Sequence, residues 1–98
     1  MANINFWNAT ELTGGGANSL DAINHLDGDG LGTPIGNNDI AIVADAVNSL
    51  QRIYEYNNGS GAVESSPDVI QPDSNAGNGR WLLVATFQTM TLTIGYDF

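Results

Sequence analysis

The 98-residue chain has no cysteine and no lysine, only two arginines, one histidine and three prolines. Each shortage excludes something. Without cysteine there is no disulfide framework and no thiolate metal site. His25 is the single imidazole, so a zinc centre built from several histidines is excluded as well. Arg52 and Arg80 supply all the fixed positive charge, against 11 acidic residues and a net charge of −9. Nucleic acid binding needs cations to displace condensed counterions, and an anionic membrane surface repels so acidic a chain. Partners are therefore expected among proteins, cations or neutral surfaces, with no nucleic acid and no membrane. The acidity by itself also serves solubility. No apolar run approaches the ~18 residues of a membrane span. The opening MANINFWNAT has neither the basic region nor the apolar stretch of a signal peptide.

What is present suits one modest core. The hydrophobic share is 42%, and a chain of this length buries roughly 60–65% of the surface that it exposes when unfolded. No internal repeat or low-complexity tail divides it. The expectation is a single domain over 1–98, with 1–38 as an N-terminal segment and 39–98 as an antiparallel β module. In the first segment, residues 3–7 read as a short strand and the glycines at 14–16 as a break. Asn18 or Ser19 then caps one short α-helix that puts Leu20 and Ile23 on one face, Asp21 in its first turn and His25 at its end. Residues 28–38 hold four glycines and a proline and read as loop.

Ile40-Ala41-Ile42-Val43 is apolar and β-branched, as a buried strand requires. Residues 50–57 then alternate with period 2, giving two antiparallel strands joined around 45–49. A helix over 40–54 competes, but the β-branched start and tyrosine-rich end favour strands. A long loop over 59–79 follows, of the size that packs against something or carries function. Residues 80–87 form a strand with Trp81, Leu83, Ala85 and Phe87 on one face. A last strand over 90–98 has Met90, Leu92, Ile94, Tyr96 and Phe98 on one face. The fold class expected is mainly β, a small antiparallel, sandwich-like domain with one short α-helix. An apolar terminal strand either pairs within its own sheet or is covered by a neighbouring subunit. With so small a core this points to a homotrimer or another oligomer.

Chemistry-bearing motifs are few. Asp27-Gly28-Asp29-Gly30 places acids at the first and third positions of a calcium loop, but Leu31 and Asn38 fall where the fifth and twelfth ligands belong. A solvent-exposed turn is the stronger reading, and neither a metal nor a cofactor is expected. His25 has no evident nucleophile in a strained elbow, and the scattered carboxylates imply no cleft, so an enzyme is not expected. No lysine or strand-to-helix motif follows the glycines at 14–16, which leaves nucleotide binding unsupported. Arg80-Trp81 admits two readings. One is a cation–π or carboxylate-pairing corner using Glu64, Asp68 or Asp73; the other is a core tryptophan beside a surface arginine that ties the loop down. The second is favoured for Trp81.

One resemblance is carried by residues in order: DIAIV at 39–43, RIYEY at 52–56, ESSPDVIQPD at 64–73 and GRWLLV at 79–84, with SLDAI upstream at 19–23. This series resembles a module of tailed-bacteriophage virion proteins, among them tail-fibre and tailspike-associated proteins. In tailspikes such a module precedes a large β-helical receptor-binding domain, and here the chain ends soon after Trp81. The resemblance therefore implies a small structural protein that acts by binding the virion itself. The form expected is a capsid decoration (cement) protein seated across capsomer junctions, with the major capsid protein or another virion protein as partner. A tail-fibre or tail-tip attachment module is the alternative, and a host-surface carbohydrate binder using Tyr54, Tyr56 or Trp81 is a third. Core and interface residues are expected among Phe6, Trp7, Arg80, Trp81, Leu92, Ile94, Tyr96 and Phe98, with Phe6 and Trp7 near an N-terminus able to reach a capsid neighbour.

Overall fold

A computed structural model describes residues 4–88. Its strands are β1 (Phe6–Ala9), β2 (Ile40–Asp45), β3 (Leu50–Asn57), β4 (Val69–Ile70) and β5 (Arg80–Gln88), with one 3-10 turn at Leu20–Ala22. The strands form a single sheet in the order β1-β2-β3-β5-β4. The chain is mainly β, as expected, but two details differ. The sheet is mixed, because β1 runs parallel to β2 while every other pair is antiparallel. The long connection over 10–39 makes this possible, since parallel neighbours need a crossover rather than a tight turn. The N-terminal segment thereby contributes a strand to the sheet.

The second difference is the helix, which is one 3-10 turn and not an α-helix. Ser19 spends its hydroxyl on Glu11 Oε1 and on the Thr13 carbonyl, so it caps nothing. The amides of Leu20 and Asp21 donate to the carbonyls of Glu11 and Leu12. These donors lack partners at the start of any helix, so the strap at 11–12 satisfies them, and the turn ends because Ile23 is already extended. His25 lies beyond this turn. The predicted strand at 90–98 is outside the described residues.

Strand β3 matches the expected span, and its reversal from β2 occupies the expected residues. Asp45 accepts the Asn48 amide at 3.1 Å, and Ser49 takes a positive φ of 55° to complete the turn. Strand alternation then builds the core. On one face of the sheet Trp7, Ala41, Tyr54 and Leu83 lie in one cross-strand row, and Tyr56, Trp81 and Ile70 in another. Leu20, Ile35 and Pro72 close over these rows from the loops. Tyr56 and Trp81 meet edge to face, with ring centroids 5.0 Å apart.

Register also corrects the reading of β5. Tyr54 pairs with Leu83 but Ile53 with Ala85, so Val84 is an extra, bulged residue. A bulge reverses the alternation beyond it. Trp81 and Leu83 face the core, whereas Ala85 and Phe87 share the opposite face with Ile53 and Gln51. A strict period of 2 puts all four on one side, and nothing in the side-chain pattern marks the inserted residue.

Two buried polar groups lock this arrangement. Asp39, wholly buried, precedes β2 and accepts the Trp7 indole N–H at 2.9 Å, the Asn5 amide at 2.9 Å and the Gly36 amide at 2.8 Å. Every partner is a donor, which suits an ionised carboxylate. Arg80, 8% exposed, donates to the carbonyls of Ala62, Gly77 and Gly79 at 2.7–2.9 Å. It ties the long loop down as expected, yet it is buried rather than a surface arginine and its partners are carbonyls rather than Glu64, Asp68 or Asp73. Gly79 beside it has φ 130°; a Cβ there would strike the Tyr56 hydroxyl and approach Asn75 Nδ2 to 2.7 Å.

Asp39→Ala, which orphans three donors around the missing carboxylate, should cost about 3–5 kcal/mol; Asp39→Asn, which keeps one acceptor oxygen, should cost less. Gly79→Ala should cost roughly 3 kcal/mol through backbone strain and overpacking. Urea unfolding midpoints followed by tryptophan fluorescence check both.

Candidate binding surface

The sheet has a second face, and among the described residues no layer packs over it. Following the register across the strands, one row reads Phe6, Ile40, Glu55, Leu82 and Val69, and the next Asn8, Ile42, Ile53 and Ala85. A third holds Ala44, Gln51 and Phe87. Phe6 is 68% exposed and Phe87 55% exposed, while Ile40, Ile42, Ile53 and Leu82 are half-buried. Glu55 is the one charged side chain in these rows. An apolar face rimmed by polar residues is the common form of a protein contact surface.

Of the residues singled out from sequence, Phe6 alone among those described lies on this face. Trp7 is 9% exposed with its indole on Asp39, and Trp81 is fully buried. Trp7 thus belongs to the core and does not reach outward from the N-terminus. Leu92, Ile94, Tyr96 and Phe98 are outside the described residues. Tyr54, Tyr56 and Trp81 are all buried, so none of them presents a ring face on which a sugar could stack. The Tyr54 hydroxyl donates to the Pro67 carbonyl at 2.7 Å, and burial pushes its pKa up to about 12.

Sequence reasoning missed Ile40, Ile42, Ile53, Leu82 and Phe87 as surface. A signal was available for part of it. Ile40-Ala41-Ile42-Val43 is apolar at both parities, and a strand apolar on both sides has something to cover on each. Phe87 gave no such sign, because only the bulge moves it across the sheet.

Comparison with protein-family models, curated proteins and solved structures finds no match to this chain. The surface must be read from its own chemistry.

The acidic groups elsewhere are engaged locally. Asp27 Oδ1 accepts the Gly32 amide, and Asp29 Oδ1 accepts the amides of Leu31 and Thr33 at 2.8 and 3.1 Å. A hydrogen bond from the Thr33 side chain, followed by the Leu31 amide, holds the Asp29 carboxyl below its ordinary range. Both acids thus shape their own turn, and no cluster of three potential metal ligands occurs among the described residues. His25 finds a serine after all: its Nδ1 lies 2.7 Å from Ser74 Oγ, which also accepts the His25 amide at 2.9 Å. The pair is exposed, and with the Asp73 amide donating to the Asp21 carbonyl it clasps two loops together. An open cleft of about 570 Å³ runs between residues 10–13 and the β2–β3 turn; Glu11 and Asp45 are its acids.

At that turn Asp45 meets Arg52 at 3.0 Å and Asn48 Nδ2 at 2.8 Å. Hydrogen bonds from the Asn48 side chain and amide, and then from Arg52, lower the Asp45 pKa to about 2, from an ordinary 3.8. The folded state therefore holds this proton less tightly than the unfolded chain does. The stabilisation is complete above the unfolded value and is lost as pH falls through about 2. Asp21 works in the opposite sense, because burial and then the nearby Asp73 raise its pKa, so that acid relieves a strain there. Stability should fall as the pH is lowered from about 4 to about 2, and Asp45→Asn should flatten that decline. Urea midpoints measured across this window check it.

Proposed function

We propose that this chain is a non-enzymatic bacteriophage virion protein that works by burying its outer sheet face on a neighbouring subunit. In its specific form it is a capsid decoration protein, set across capsomer junctions and assembled as a homotrimer. The observation that carries the reading is the apolar row work of Phe6, Ile40, Ile42, Ile53 and Leu82 on a face with no covering layer among the described residues. The ordered resemblance of 19–23 and 39–84 to phage virion modules supports the setting. A passive role fits the electrostatics: Arg80 is buried among carbonyls and Arg52 is paired with Asp45, leaving an acidic exterior. A basic or neutral coat surface complements it. Each bound copy adds its binding free energy to the shell, as any ligand of the native state does.

The tail reading differs in number rather than in chemistry, and the order of the matching segments, shared with tail-fibre proteins, favours it as the second choice. Quantitative mass spectrometry of purified particles separates the two: hundreds of copies mean decoration and a handful mean a tail part. Ile42→Asp, in the middle of the outer face, should weaken binding to particles by roughly tenfold or more while the far-UV spectrum stays unchanged. Unaltered particle binding by that variant, or absence of the chain from particles, overturns the proposal.

A further inference from the structure

Glycine follows asparagine or aspartate at Asp27-Gly28, Asp29-Gly30, Asn58-Gly59 and Asn78-Gly79. Such steps are open to a spontaneous reaction, because glycine has no Cβ to keep its amide nitrogen away from the preceding side-chain carbonyl carbon. The peptide plane between the two residues must first turn until that nitrogen faces the carbon. Hydrogen bonds on the plane and on the side chain therefore decide how readily the step proceeds.

At 78–79 the peptide plane is held on both sides. Its carbonyl accepts Asn75 Nδ2 at 2.7 Å, and its N–H donates to the Ser60 carbonyl at 2.8 Å. The Asn78 side-chain amide donates to the Gly59 carbonyl at 3.3 Å, and Gly79 is buried. At 27–28 the Gly28 amide donates to the Thr33 carbonyl at 2.7 Å, while Asp27 Oδ1 accepts the Gly32 amide at 2.6 Å. Asp29 Oδ1 takes the amides of Leu31 and Thr33, and the carboxylate so stabilised is a poor electrophile.

The step at 58–59 is different. Asn58 and Gly59 are both exposed, and among the described residues nothing bonds the Asn58 side chain or carbonyl. The Gly59 amide meets Asn57 Oδ1 at 3.0 Å, and Asn57 is itself exposed, so that bond opens easily to water.

We infer that Asn58 is a site of spontaneous deamidation and isomerisation in the folded protein, and that hydrogen bonding protects the same dipeptide at Asn78. The Gly59 nitrogen, its proton passing to solvent base, attacks Asn58 Cγ. The Cγ–Nδ2 bond breaks and ammonia leaves. Water then opens the cyclic imide at one carbonyl or the other, giving aspartate or isoaspartate. Either product adds a negative charge to a chain already at −9. Isoaspartate also routes the main chain through an extra methylene just past the end of β3, where the long loop begins. The inference is independent of the virion reading.

Trypsin makes the comparison internal. With no lysine and arginine only at 52 and 80, it releases both sites in one peptide, 53–80. The full chain is incubated at mildly alkaline pH, folded and in guanidinium chloride, and fragment-ion mass spectrometry follows amide-to-acid conversion at each site. In the folded chain, conversion at Asn58 should outpace that at Asn78 by roughly tenfold or more, the effect of about one buried hydrogen bond. In denaturant the two rates should converge. Gly59→Ala should suppress conversion at Asn58 with the urea midpoint kept, since the added Cβ meets nothing nearer than Asn57 Oδ1 at 3.5 Å. Equal rates in the folded chain, or an Asn58 that converts more slowly than Asn78 or not at all, overturn the inference. So does a difference that persists undiminished in denaturant.

Discussion

A buried carboxylate at the mouth of β2 holds three stretches of chain that are far apart in sequence. Asp39 takes hydrogen bonds from Asn5, Trp7 and Gly36 while its own amide and carbonyl bond to Gly36 and Tyr56. The N-terminal strand, the glycine-rich loop and the central hairpin converge on this residue. Trp7 is oriented by it, and the indole in turn lies against Gly28, where a Cβ would come within 2.5 Å of the ring. A core this small cannot rely on area alone. Directional bonds to one desolvated carboxylate give it a unique arrangement, since misplacing any of the three stretches leaves a donor unsatisfied in the interior.

Arg80 plays the complementary part at the other edge of the sheet. Its guanidinium gathers carbonyls from both ends of the loop over 59–79, and Asn75 adds bonds to the Asn78 carbonyl and the Tyr56 hydroxyl. Pro72, on that loop, is thereby buried against the sheet row of Ile70, Trp81 and Tyr56. Loops thus cover one face of the sheet, while the other is left apolar and uncovered among the described residues. A protein that buries one arginine among carbonyls and pairs the other with Asp45 has committed its positive charge to holding shape. What it offers outward is hydrocarbon surface and negative charge, which is the basis for reading it as a contact protein.

Much of the strand layout was legible because alternation and β-branching act locally. Residues 80–87 read as a strand by alternation, the β-branched start at 40–43 and the tyrosine-rich alternation at 50–57 outweigh the competing helix over 40–54, and the long loop between 57 and 80 follows from its glycines, prolines and small polar residues. The pairing of β1 with β2 was not legible, because it depends on a connection of thirty residues whose path no local pattern fixes. The short helix failed for a related reason: the hydroxyl of Ser19, a candidate cap, found partners in Glu11 and Thr13, a competition invisible along the chain.

The candidate surface divides in the same way. Composition by itself determined that the chain carries no thiol chemistry, no polyhistidine metal centre and almost no positive charge, since residues that are missing cannot be supplied by folding. The sequence pattern favoured a core position for Trp81, as a large ring followed by alternating apolar residues, without separating core from interface. Only the tertiary structure decided which face each strand residue meets. One bulged valine carries Phe87 across the sheet, and one buried aspartate draws Trp7 inward, because register and burial are properties of pairs of strands and not of either strand alone.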